Sequence, residues 1–176
     1  KSRKQHYRNT VSPGEQHEMK TIAITTLLTA ALLTTNLFAT GVDEGSLPRS
    51  KRTSLGLYIT AADAYEMWKA DPANVKVIDV RTPEEFRMIG VPEMASKIPL
   101  SAAGQFVGQV RRIASPDDTV LVICRSGNRS AAAVEMLARA GFDNAYTVVD
   151  GFEGDRNSDG KRTVNGWKNA GLPWTR

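Results

Sequence analysis

The sequence predicts an α/β protein: a central, mainly parallel sheet with helices on both faces. Three observations predict it. Apolar, β-branched runs at residues 75–80 (VKVIDV), 119–123 (TVLVI) and 145–149 (AYTVV) lack strict polar alternation, as strands buried on both faces do. Segments of helical spacing separate these runs, the pattern that right-handed crossovers produce. Cys124 directly follows the middle run, at the carboxyl end of a strand, where such sheets bind ligands.

The elements follow in order. Leu57, Tyr58 and Ile59 form a short strand. Thr60 is a good N-cap for residues 61–70 (AADAYEMWKA), and Asp71-Pro72 stops that helix. After the run at 75–80, Pro83 suits the first turn of a short helix through Glu84, Glu85 and Phe86. Residues 103–114 place Phe106, Val107, Val110 and Ile113 on one helical face. Residues 130–140 are rich in alanine and leucine and close with Gly141, a common residue after a helix end.

Charge and composition narrow the function. Residues 1–39 carry five basic and two acidic residues, so most of the chain's net charge of +4 belongs to its front end. The remainder, at +1, offers no nucleic-acid or membrane-surface footprint. A lone cysteine excludes an intramolecular disulfide, a CxxC redox pair and a Cys-rich zinc site. Both histidines, His6 and His17, precede Met19; without them the chain has no Cys-His or histidine-based acid–base chemistry.

Residues 19–39 (MKTIAITTLLTAALLTTNLFA) have a positive start, an uncharged apolar stretch and a small final residue, the pattern of a signal peptide. The alternative, a membrane anchor, needs a longer apolar run. The expected location is periplasmic or secreted, with no membrane attachment after cleavage. Residues 1–18 are a polar extension or an artefact, 40–54 read as a linker, and 55–176 as the domain.

Chemistry concentrates at Cys124-Arg125-Ser126-Gly127-Asn128-Arg129-Ser130, which leads into the next helix. Successive backbone N–H groups in such a loop can converge into an anion nest, and the helix N-terminus adds partial positive charge. Arg125 and Arg129 add formal charge, and Gly127 permits a positive φ or close backbone approach. The loop therefore favours a nucleophilic thiolate on Cys124. The alternative, a buried structural cysteine, sits poorly with flanking Arg, Ser, Gly and Asn.

CRSGNRS resembles the active-site loop of the rhodanese family. Residues 78–86 (IDVRTPEEF) resemble its DVR-x-P-E-E-F signature, and residues 165–173 (NGWKNAGLP) its closing tryptophan and GLP segment. The resemblance covers about residues 55–175. It implies a three-layer fold around a five-stranded sheet. It also implies a sulfurtransferase: the loop cysteine takes sulfane sulfur from a small anionic donor such as thiosulfate and passes it to a thiol or cyanide-like acceptor, with no cofactor. On this reading Cys124 holds the persulfide, and backbone N–H groups from Arg125 to Ser130 stabilise its outer sulfur. Arg129 closes the loop and supports anion binding, and Arg125 attracts the donor at the mouth. Ser126, Gly127, Asn128 and Ser130 complete the substrate cradle. The C-x4-R spacing resembles sulfurtransferases, whereas cysteine phosphatases resemble C-x5-R. Asp79 and Arg81 read as a structural ion pair under the loop, with a direct catalytic role as the alternative.

Two departures from the family pattern stand out. Residues 89–99 (IGVPEMASKIP) lack the family's GHIPGA-like turn. An insertion separates Gly151 from Trp167 and contains Asp155, Asn157 and Asp159, spaced like the start of a calcium loop but with Gly166 where the glutamate belongs. A polar hairpin is the other reading. Trp167 and Trp174 read as packing residues. Two other functions stay open: a non-enzymatic sulfur carrier or protein-docking module, and a phosphatase or arsenate reductase.

Overall fold

Strand-forming runs line up side by side in the computed structural model, which describes residues 42–176. The expected leader at 19–39 and the segment before it lie outside the described residues. Five strands, β1 (Tyr58–Ile59), β2 (Val75–Asp79), β4 (Ser96–Lys97), β5 (Thr119–Ile123) and β6 (Ala145–Val148), form one sheet in the order β1-β6-β5-β2-β4. Every neighbouring pair in it is parallel.

Each central strand sends apolar residues to both faces. Ile78, Val120 and Val122 pack against Phe106 and Val110 of α3 (Ala103–Val110) and Ala133, Val134 and Leu137 of α4 (Asn128–Arg139). Val77, Leu121 and Ile123 pack the other way, against Ala61 and Ala64 of α1 (Ala61–Ala70), Phe152 and Trp167. The outcome is the expected three-layer arrangement, and it explains why the strands show no polar alternation. Thr60 caps α1 by accepting from the Asp63 N–H at 3.2 Å. Thr82 and Glu85 form a reciprocal capping box at the start of α2 (Pro83–Ile89).

Three expectations shift. The helix expected over 103–114 ends at Val110, and its last turn tightens so that both Ile113 N and Ala114 N reach Val110 O at 2.9 Å. That tightening rotates Ile113 outward to 39% exposure and turns Ala114 inward. The helix expected from Ser130 begins at Asn128, because Gly127 takes a left-handed cap conformation. Residues 42–54, expected as a linker, are tied to the domain. Their two 3-10 turns, Glu44–Ser46 and Arg49–Lys51, bring Leu47 onto Tyr58 and Val149. Thr53 N donates to Tyr58 Oη at 2.9 Å, and the Ser54 amide and hydroxyl both donate to Glu135.

Residues 89–99 contain β3 (Val91–Pro92), which pairs antiparallel with the C-terminal β9 (Trp174–Thr175), and then edge strand β4. The insertion after Gly151 is a hairpin, β7 (Asp155–Arg156) with β8 (Arg162–Val164). Its base is closed by Trp167 N on Gly151 O at 2.9 Å and Lys168 N on Phe152 O at 3.0 Å. Trp167 thereby returns to Gly151 and is fully buried. No helix among the described residues is long and apolar enough to cross a membrane.

Candidate active site

Strand β5 delivers Cys124 to the carboxyl edge of the sheet, where it is 1% exposed. The chain then turns through 125–127 into α4. This turn aims the Gly127 N–H at Cys124 Sγ, 3.2 Å away. The buried Ser130 hydroxyl lies 3.3 Å from Sγ and 3.1 Å from Gly127 O, so its single proton serves one or the other. A negatively charged sulfur draws that proton to itself. Two directed donors and the first turn of α4 thus face one sulfur.

The loop is braced from behind. Cys124 O and Arg125 O accept from Phe152 N at 2.8 Å and Glu153 N at 3.0 Å. Gly127 has φ +100°, and a Cβ there would strike the Val149 carbonyl oxygen. Gly151 has φ +65°, and a Cβ there would lie 2.6 Å from Arg125 C and Ser126 N. Only glycine lets the segment after β6 approach the loop this closely.

Both loop arginines have carboxylate partners. Arg129 donates from Nη1 and Nη2 to the two oxygens of Glu85, each at 2.6 Å. Burial raises the Glu85 carboxyl, but the Arg129 bonds and the Thr82 N–H outweigh it and hold its pKa at about 2. The same pair raises the Arg129 guanidinium above its ordinary value. Arg125 pairs with Glu153, Nε to Oε1 at 2.8 Å and Nη2 to Oε2 at 3.2 Å. Neither glutamate was singled out from sequence. A capping-box spacing marks Glu85 for Thr82, but nothing local marks its bond to Arg129; Glu153 carries no sequence signal at all.

Ser126 and Asn128 face a different set of residues. With Ser50, Lys51 and Asp150 they line a polar pocket of about 440 Å³. Asn128 Oδ1 accepts from Ser50 Oγ at 3.3 Å. Asp79 and Arg81 are fully buried together: Arg81 Nη2 lies 2.6 Å from Asp79 Oδ2 and 2.6 Å from Gly90 O. The Arg81 guanidinium also stacks 4.1 Å from the Phe152 ring centre. Burial pushes the Asp79 carboxyl up, against the pull of Arg81. These contacts join the end of β2 to the turn at Gly90 and the segment behind the loop, a supporting geometry.

The insertion is a polar hairpin, the reading that stood beside the calcium-loop spacing. Asp155 is paired with Lys51 Nζ at 3.1 Å, and Asn157 Oδ1 accepts from Asp159 N at 3.0 Å and Lys161 N at 2.9 Å. The Asp155 and Asn157 side chains are engaged in arm and turn contacts, Asp159 meets Asn157 through its backbone N–H, and among the described residues no group of three or more His, Cys, Asp or Glu is placed to hold a metal.

Comparison with known proteins adds four findings. Residues 60–157 match the family model of the rhodanese-like domain. An uncharacterized protein of Rickettsia prowazekii is 35% identical over 108 residues, covering 57% of this chain and 83% of that protein. Thiosulfate sulfurtransferase GlpE of Actinobacillus succinogenes is 30% identical over 115 residues, covering 65% and 86%. The crystal structure of Rv0390 from M. tuberculosis is similar at 35% identity with a TM-score of 0.60, covering 66% of this chain and 95% of that one.

Proposed function

The chain belongs to the rhodanese-like domain family, and from that premise we propose that it is a sulfurtransferase working through a persulfide on Cys124. One observation carries the reading: Cys124 Sγ sits at a strand end with the Gly127 N–H and the Ser130 hydroxyl directed at it. The similarity to a protein named as a thiosulfate sulfurtransferase supports the same reaction class.

The reaction runs in two displacements. The Cys124 thiolate attacks the sulfane sulfur of the donor. A sulfur–sulfur bond forms as the donor's own bond to that sulfur breaks, and the donor remainder leaves with the electron pair; from thiosulfate that is sulfite. The outer sulfur of the persulfide now carries the negative charge, and the loop N–H groups and α4 terminus stabilise it. An acceptor such as cyanide or a thiolate then takes the outer sulfur and restores the Cys124 thiolate. No proton or electron is left over in the thiosulfate-to-cyanide case. Residues 19–39 support an exported, periplasmic or secreted location.

The test is thiosulfate:cyanide transfer beside an intact mass after donor treatment, with Cys124→Ser as control. Turnover and a one-sulfur mass gain are expected, both lost in the variant. Mass gain without turnover would turn the reading toward a sulfur carrier or docking module. Neither signal, with hydrolysis of an aryl phosphate instead, would replace it with phosphatase chemistry.

A further inference from the structure

We propose that Glu153 is a specificity-determining residue: by pairing with Arg125 it makes the loop select singly charged sulfane-sulfur donors over dianions. This rests on the sulfurtransferase reading and narrows its donor class.

The argument begins with charge. The loop's two guanidiniums are Arg125 and Arg129, and each already faces a carboxylate. With the Cys124 thiolate included, these five groups sum to one negative charge. The backbone N–H groups at the α4 terminus, worth roughly half a positive charge, are the loop's remaining attraction for an incoming anion. A second anionic charge finds no uncompensated guanidinium in the loop.

Placement makes Glu153 the control point. Its side chain is 15% exposed and that of Arg125 is 41% exposed, so the pair lies at the boundary between loop and solvent. A pair there is screened less than one wholly in water. Glu153 is also held by its backbone: its N–H donates to Arg125 O at 3.0 Å, and its carbonyl accepts from Asn169 Nδ2 at 3.1 Å. The carboxylate is therefore anchored to the loop it neutralises. Glu85 differs, because its carboxylate also receives the Thr82 N–H of the α2 cap and so belongs to the scaffold.

Thiosulfate and methanethiosulfonate isolate the variable. Both offer a terminal sulfane sulfur on an oxidised sulfur; the first is a dianion and the second a monoanion. Attack by the Cys124 thiolate on either forms the same persulfide. Sulfite leaves from the first and methanesulfinate from the second, each taking the electron pair of the broken bond.

The experiment measures kcat/KM for both donors with cyanide as acceptor, in the unaltered protein and in Glu153→Gln. The thiosulfate-to-methanethiosulfonate ratio should rise about tenfold in the variant, mainly through a lower KM for thiosulfate, and the gain should shrink at high salt. The double variant Glu153→Gln, Arg125→Gln removes both charges and should return the ratio toward that of the unaltered protein, which a purely structural role of Glu153 would not produce. An unchanged ratio, or an equal change for both donors, overturns the proposal and leaves the sulfurtransferase reading standing. Absence of any persulfide mass gain from either donor, in either form, overturns that reading and the proposal with it.

Discussion

The Glu85 carboxylate accepts from the Thr82 N–H at the cap of α2 and from both terminal nitrogens of Arg129 on α4. One side chain thus joins a local cap to a contact 44 residues away. Its pKa of about 2 lies below the ordinary 4.5. A depressed carboxyl stabilises the fold fully above its unfolded value, and that contribution is lost as pH falls from about 4.5 toward 2. Glu85→Gln should lose about 1–3 kcal/mol in urea unfolding at neutral pH. It should also flatten the acid limb of the stability curve relative to the unaltered protein. Asp79 and Asp150, both raised by burial, act with the opposite sign: their ionisation costs stability as pH rises. The difference between variant and parent, rather than the parent curve alone, therefore reports Glu85. At this scale Cys124 was legible because its cradle follows it directly in the chain. Glu85 and Glu153 were not, because their partners lie 44 and 28 residues away.

Elements with strong local signals read well from sequence. Helix α1 spans the expected 61–70 because Thr60 caps it and Asp71-Pro72 ends it. Strand β5 spans the expected 119–123. Helix α3 ends before its amphipathic spacing does, because a tightened turn rotates Ile113 outward. The two-residue strands β3, β4 and β9 are too short to show any period. The segment after β6 matters because it sets the height of the reactive loop. Gly151→Ala should push a Cβ into the Arg125–Ser126 backbone. Sulfur transfer should fall about 10- to 100-fold, since small displacements of reacting groups are costly. Thermal unfolding monitored by circular dichroism should show a stability loss of similar size, about 1–3 kcal/mol.

For the whole molecule, the α/β class followed from the doubly apolar strands, but the strand order did not. Which run neighbours which depends on crossover paths that no local residue spells out. The arm at 42–54 was hidden for a related reason. Its composition is small and polar, so the one buried apolar anchor, Leu47, and the Lys51–Asp155 pair give no periodic signal. Deleting residues 42–54 should uncover the patch on Tyr58 and Val149 and lower the melting temperature by several degrees, a cost of about 1–3 kcal/mol. A scanning calorimetry trace of the truncated protein checks this.

The closed base of the β7–β8 hairpin has an evolutionary consequence. The chain leaves the core at Phe152 and rejoins it at Trp167 through backbone bonds, so residues around Asp159 and Gly160 at the tip owe little to the sheet. Lengthening a flexible loop costs only about 0.6 kcal/mol for each doubling. Extra residues at the tip can therefore accumulate at little cost to the chemistry beneath them.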